Sequence, residues 1–138
     1  MSGKPCVFCG VVDGGPAHRV LETEDVVGFL DVRPVFKGHV LLVPRAHVVT
    51  LPDLPAEQLA PYLGAVQRLA TAMVEGLGAQ GSFVAVNNTV SQSVAHLHTH
   101  VVPRTKGDGL RGFFWPRTKY ADDAEAAGYA QRLREALG

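Results

Sequence analysis

Apolar positions along this chain change period three times, and each change marks an element. Residues 19–22 and 26–30 read as two short strands around Thr23-Glu24-Asp25, a hairpin. Asp13-Gly14-Gly15-Pro16 and Lys37-Gly38 read as turns. The apolar run His39-Val40-Leu41-Leu42-Val43 predicts a buried strand that Pro44 ends. The period then lengthens. Leu59, Leu63, Val66, Ala70, Met73 and Leu77 recur at three- and four-residue steps, which predicts a helix over 55–77 with one apolar face. Pro55 suits its first turn and Gly78 the position after its last. Pro61 predicts a kink, or a helix that starts there after a separate turn. Strands follow at 82–86 and 95–102. A short helix over 126–137 closes the chain, with Asp122 and Glu125 spaced like a capping box. Antiparallel strands with one long helix and a short C-terminal helix make an α+β domain.

The 138 residues suit one domain, with 105–138 as a C-terminal extension. Hydrophobic residues make up 46%, enough for a core. Thirteen acids balance thirteen bases, so any recognition of phosphate is local rather than a general attraction to polyanions, and nucleic acid is not an expected partner. No apolar run approaches the ~18 residues of a membrane span, and the first residues lack the apolar stretch of a signal peptide. These features predict a cytoplasmic protein.

The strongest chemical signal is His96-Leu97-His98-Thr99-His100-Val101-Val102. Side chains of a strand alternate, so His96, His98 and His100 share one face while Leu97, Thr99 and Val101 take the other, toward the helix. Neighbouring imidazoles on such a face stand ~6.5–7 Å apart. Three readings are open from the residues alone. The row is a polar face, a metal cluster, or a nucleophile with orienting neighbours, since neutral imidazole attacks well near neutral pH. The preceding loop, Asn87-Asn88-Thr89-Val90-Ser91-Gln92-Ser93, places amides and hydroxyls where they donate to phosphate oxygens. Cys6-Val7-Phe8-Cys9 is a C-x-x-C, read as a redox pair, half a metal site or two free thiols.

The stretch Gln92-Ser93-Val94-Ala95-His96-Leu97-His98-Thr99-His100-Val101-Val102 resembles the signature of the histidine-triad family of nucleotide hydrolases and transferases. A second block resembles it too: Phe29-Leu30-Asp31-Val32-Arg33-Pro34, then Gly38-His39-Val40-Leu41-Leu42-Val43-Pro44-Arg45-Ala46-His47. Thr99 stands where the family has an apolar residue. The resemblance implies that His98 attacks the α-phosphate of a purine nucleotide conjugate and carries the nucleotidyl group. It implies that His100 binds and polarises the phosphate and His96 orients the strand. Gln92 and Ser93 are then expected at the phosphate or leaving group, Asn87 (with Asn88 beside it) at the ribose-phosphate, Asp31 at the ribose hydroxyls, and Phe29 and Val32 along the base. The resemblance to bacterial members further implies a structural zinc ion on Cys6, Cys9, His47 and His96, and a homodimer. A zinc-stabilised nucleotide sensor or adaptor without turnover is the alternative from another class. His18 and His39 are read as structural or surface residues, with His39 hydrogen-bonded within the sheet. The aromatic and basic segment from Leu110 to Arg117 is read as packed on the domain or on a dimer partner; a lid carrying Arg111 or Trp115 is the other reading.

Overall fold

The computed structural model describes residues 6–110 and 117–138. The chain divides into two compact units, Met1–Asp108 and Gly109–Gly138. In the first unit, β1 (Arg19–Glu22), β2 (Val26–Leu30), β3 (Val40–Pro44), β4 (Gly81–Ala85) and β5 (Thr99–Arg104) form one antiparallel sheet in the order β1-β2-β3-β5-β4. Its central strands are buried on both faces. Val26, Val40, Leu42, Leu97 and Val101 point to one side, where they pack with Tyr62, Ala65, Leu69 and Met73 of the long helix α2 (Leu59–Leu77). Val27, Phe29, Leu41 and Val43 point to the other side and meet Phe8. Phe8 belongs to a short helix α1 (Val7–Val12) that the sequence reading did not anticipate.

Helix α2 corrects two expectations. Its first turn is preceded by a separate 3-10 turn over Ala56–Gln58, and Pro61 is its third residue. The first four N–H groups of a helix have no internal acceptor, so a proline there removes no helical bond. The buried face is Tyr62, Ala65, Val66, Leu69 and Met73, whereas Leu59, Leu63 and Leu77 of the anticipated stripe are exposed. The helix is apolar around more than half its circumference, so spacing alone does not say which part meets the sheet. The C-terminus ends as expected: Gly78 takes φ +71, and Gly78 and Ala79 donate to Val74 and Met73 carbonyls, a Schellman arrangement. Gly38, at φ +100, is a second position that calls for glycine, because L side chains rarely adopt that backbone conformation.

Strand β5 starts at Thr99, later than its apolar pattern predicts. The register pairs Leu42 with Thr99, so continuing it would bring Pro44 opposite Leu97. Proline has no N–H for the ladder. The backbone turns to other partners instead: Leu97 N–H donates to the Val48 carbonyl at 2.7 Å, and the Pro44 carbonyl faces His96 Nε2 at 2.9 Å. Thr99, the departure from an apolar pattern, buries its hydroxyl against Tyr62 Oη at 2.6 Å, and the Tyr62 hydroxyl donates to the Leu42 carbonyl.

The second unit contains helix α3 (Asp123–Leu137). Asp122 caps it by accepting from the Glu125 N–H at 2.9 Å, and the Glu125 carboxylate accepts from the Ala121 N–H. Tyr129 stacks near Tyr120 and under the Arg132 guanidinium.

Candidate functional site

The cross-strand register builds the floor of a cavity. Phe29 pairs with Leu41, and Leu41 pairs with His100, so the three side chains lie in a row on the face away from α2. His98 extends this face beyond the end of the ladder. The cavity over it has a volume of about 730 Å³, of the size that takes a small ligand. Phe29, Asp31, Val32, Ser93, His98 and His100 line it, as do Val7, Phe8 and Val11 of α1. Val32 is 88% exposed at its edge, an apolar side chain that a flat base would cover.

The hydrogen bonds fix which ring nitrogens carry protons. His98 Nδ1 lies 2.8 Å from the His96 carbonyl, which can only accept. Nδ1 therefore carries the proton of the neutral ring, and the Nε2 lone pair is left for attack. His39 and His100 form a second chain. The Val35 N–H donates to His39 Nδ1 at 3.1 Å, so neutral His39 carries its proton on Nε2, 3.0 Å from His100 Nδ1. His100 then accepts on Nδ1 and holds its own proton on Nε2. Burial keeps both rings neutral: it lowers His39 against the pull of Asp31, and it lowers His100 to about 4, helped by His39 and His98 nearby. His39, read from sequence as structural, thus orients a triad histidine.

The remaining expected residues divide. Asp31 lines the cavity, with one oxygen accepting from the Arg33 N–H and the other 3.7 Å from His39 Nε2. Ser93 reaches the cavity; Asn87 and Gln92 are not among the side chains that line it. Both ends of the Gln92 amide hold the loop, donating to the Val49 carbonyl and accepting from the Thr89 N–H. Asn88 accepts from the Leu51 N–H, and both Asn87 and Asn88 are exposed. Thr89 and Ser91 take positive φ values of 71° and 62°, a strained backbone of the kind held at ligand-binding loops. Of the 110–117 segment, residues 111–116, with the candidate lid residues Arg111 and Trp115, lie outside the described residues.

Cys6, Cys9, His47 and His96 converge, with donor atoms within 4.8 Å of one another. Cys6 Sγ lies 3.4 Å from His96 Nδ1, and Cys9 Sγ lies 3.2 Å from His47 Nδ1 and 3.6 Å from His96 Nδ1. Tetrahedral zinc with its usual bond lengths separates S and N donors by about 3.6 Å, so the set fits. His96 donates from Nε2 to the Pro44 carbonyl, which frees Nδ1 for a metal. Burial, and then the sulfur of Cys6, push the Cys9 thiol up to about 11. Neither thiol is in a disulfide. Asp31, His39 and His100 also lie together, but the direct contact between the two rings is that of a hydrogen bond.

What sequence reasoning missed is mainly α1. Its signal was present in the apolar Val7, Phe8, Val11 and Val12 around the two cysteines, but six residues are too few for periodicity to settle. His18, read as structural or surface, is exposed and lines the cavity as well.

The arrangement has close counterparts. An uncharacterized HIT-like protein of Mycobacterium tuberculosis is 38% identical over 136 residues, 96% of this chain and 93% of that protein. The solved structure of a Zn-bound histidine triad family protein from Mycobacterium smegmatis matches with a TM-score of 0.72 at 40% identity, over 95% of this chain and 96% of that one. An adenosine 5'-monophosphoramidase of Schizosaccharomyces pombe is 32% identical over 80% of this chain and 83% of its own length. A family model for the HIT domain matches residues 14–107, the stretch that carries the sheet, α2 and all three triad histidines, and the chain belongs to that family.

Proposed function

We propose that the protein is a nucleotide hydrolase or nucleotidyl transferase that works through a covalent intermediate on His98. His98 Nε2 attacks the α-phosphorus of a purine nucleotide conjugate. The new N–P bond forms as the bond to the leaving group breaks, and the leaving group departs with a proton. Water then attacks the same phosphorus, the N–P bond to His98 breaks, and the nucleoside monophosphate leaves. The observation that carries this reading is the 2.8 Å contact from His98 Nδ1 to the His96 carbonyl, which presents the attacking lone pair. His100, protonated on Nε2, donates to a phosphate oxygen from a preset position. Asp31 accepts from the ribose hydroxyls, and Phe29 and Val32 hold the base. Ser93 serves the phosphate and leaving group from the cavity wall, while Gln92, whose amide holds the loop, and Asn87, on the ribose-phosphate side, act from beside the cavity. The activity printed for the fission-yeast relative, a phosphoramidase, is of this chemical class.

Zinc on Cys6, Cys9, His47 and His96 is structural in this reading, because four protein ligands leave no open position. It ties the N-terminal segment to His96, two positions before the nucleophile. The 105–138 segment is an extension of a single domain. The enzyme acts as a homodimer, supported by exposed Leu59, Leu63, Val74 and Leu77 along α2 and Val84 on the edge strand β4. It works in the cytoplasm, supported by the two unbridged thiols and by the fact that no described helix is long and apolar enough to cross a membrane.

Incubation with adenosine 5'-phosphoramidate tests the proposal. AMP appears in solution, and protein quenched and denatured in alkali, where a histidine N–P bond survives, carries an adenylyl group on His98. Binding of AMP with no turnover of the phosphoramidate, or of any purine conjugate with another leaving group, would overturn the enzyme reading in favour of a sensor.

A further inference from the structure

Helix α1 has two working faces, and they serve different sites. Cys6 caps the helix, its sulfur accepting from the Cys9 N–H at 3.3 Å. Cys6 and Cys9 turn toward His47 and His96. Val7, Phe8 and Val11, which lie between and after the two cysteines, turn into the 730 Å³ cavity. The Phe8 ring is the point where everything meets. Its centroid lies 5.5 Å from Phe29 of the cavity floor, 5.0 Å from the nucleophile His98 and 6.1 Å from His96. Phe8 is buried; Val7 is 66% exposed at the cavity wall. The helix also lies before residue 14, where the family match begins.

We propose that α1 is a metal-held wall of the nucleotide cavity, so that zinc on the two cysteines sets how tightly a nucleotide binds and how firmly Phe8 holds His98. This rests on the nucleotide and zinc readings given above. The reason is mechanical. Six helical residues do not hold a helix by themselves, because nucleation costs more than so few hydrogen bonds return. At its far end the wall is held by the Arg19 guanidinium, which donates to the Val11 and Gly15 carbonyls. At its near end the Phe8 ring and the two sulfurs reach across to the sheet side. A metal bridging those sulfurs to His47 and His96 closes a loop of 90 residues between Cys6 and His96. With the bridge in place, Val7 and Phe8 are preset to receive a flat base and part of the ordering cost of binding has already been met. Without it, the wall must be ordered by the nucleotide itself.

Two effects follow by linkage. Zinc raises nucleotide affinity, and a bound nucleotide raises zinc affinity by the same factor. The second effect is independent of turnover. Phe8 is a positioning residue here: it touches His98 and the cavity floor, and it carries the coupling between the two sites.

The test uses AMP as the nucleotide probe on full-length protein. Calorimetry measures AMP affinity in zinc-loaded and zinc-stripped protein. A chelator competition measures zinc affinity with and without saturating AMP. Both ratios are expected to shift by about tenfold in the same direction. Phe8→Ala, loaded with zinc, keeps one zinc per chain and shows a coupling ratio near one. If stripped protein does not stay folded, the chelator competition on loaded protein and on Phe8→Ala gives the same comparison. AMP that binds loaded and stripped protein equally, with zinc affinity unchanged by AMP, overturns the proposal while leaving the nucleotide reading intact. A coupling that persists in Phe8→Ala overturns the role of that residue. Failure of AMP and of other purine nucleotides to bind zinc-loaded protein at all refutes the nucleotide reading, and the proposal falls with it.

Discussion

His39 Nε2 stands 3.0 Å from His100 Nδ1, and this contact decides which nitrogen of His100 faces the cavity with a proton. His39 is itself fixed by the Val35 N–H. Replacing His39 by Phe removes the donor to His100 Nδ1 and lets the ring populate its other tautomer. The expected result is a fall in kcat of about tenfold to a hundredfold, less than outright loss of a transition-state donor costs because His100 itself remains, with little change in KM. Nitrogen chemical shifts of His100 report the tautomer directly. A His39→Gln variant, whose amide can donate, should recover part of kcat. Unchanged kcat in His39→Phe, with the same His100 tautomer, would exclude the relay.

His98→Ala should leave folding and nucleotide binding nearly intact while turnover falls by orders of magnitude. A retained rate above about a tenth of wild type, a loss of only about 1.4 kcal/mol of transition-state stabilisation, would mean that His98 is not the nucleophile. Steady-state rates and a thermal melt of the same preparation make the comparison.

Metal analysis of protein purified without added metal should give about one zinc per chain, held by Cys6, Cys9, His47 and His96. Removal by a chelator should lower the melting temperature, because the metal bonds exist only in the folded state. Less than a tenth of an equivalent, with stability indifferent to the chelator, would dismiss the zinc site.

Stability should fall as pH falls through the window from 6.5 to about 4. Burial lowers His100 from 6.5 to about 4 and lowers His39 in the same sense. Between those limits the unfolded chain binds protons that the folded chain refuses, so unfolding gains as acid is added. Above the unfolded value both states are neutral at these groups and their contribution is flat. Thermal melts from pH 4 to 8 should show a shallower fall for His100→Asn than for the wild type. Parallel curves would show that His100 does not titrate as its burial implies.

Much of the fold was legible because periodicity reports burial directly. The alternation His96, His98, His100 against Leu97, Thr99, Val101 placed the imidazoles on one face, and the structure keeps that division, with Leu97 and Val101 against α2. The hairpin of β1 and β2 and the Gly78 terminus of α2 are local features, set by turn and cap residues within a few positions. The C-x-x-C and the triad were likewise written in short spacings.

Other features were decided only by tertiary contacts. Which face of α2 is buried depended on where the sheet lies, since Leu59, Leu63 and Leu77 are as apolar as Leu69. The start of β5 was set by a neighbour, Pro44, that cannot continue the ladder. The proton positions on His100 and His39 depend on residues 61 positions apart, joined only when β3 and β5 pair. Helix α1 lacks the length to declare itself, and it takes shape against Phe29 and His98. The sequence by itself determined which groups are candidates for the chemistry, because residue type and local period are short-range properties. The tertiary structure decided how those groups are oriented and walled, because proton placement, burial and cavity shape are set by partners that the chain brings together only on folding.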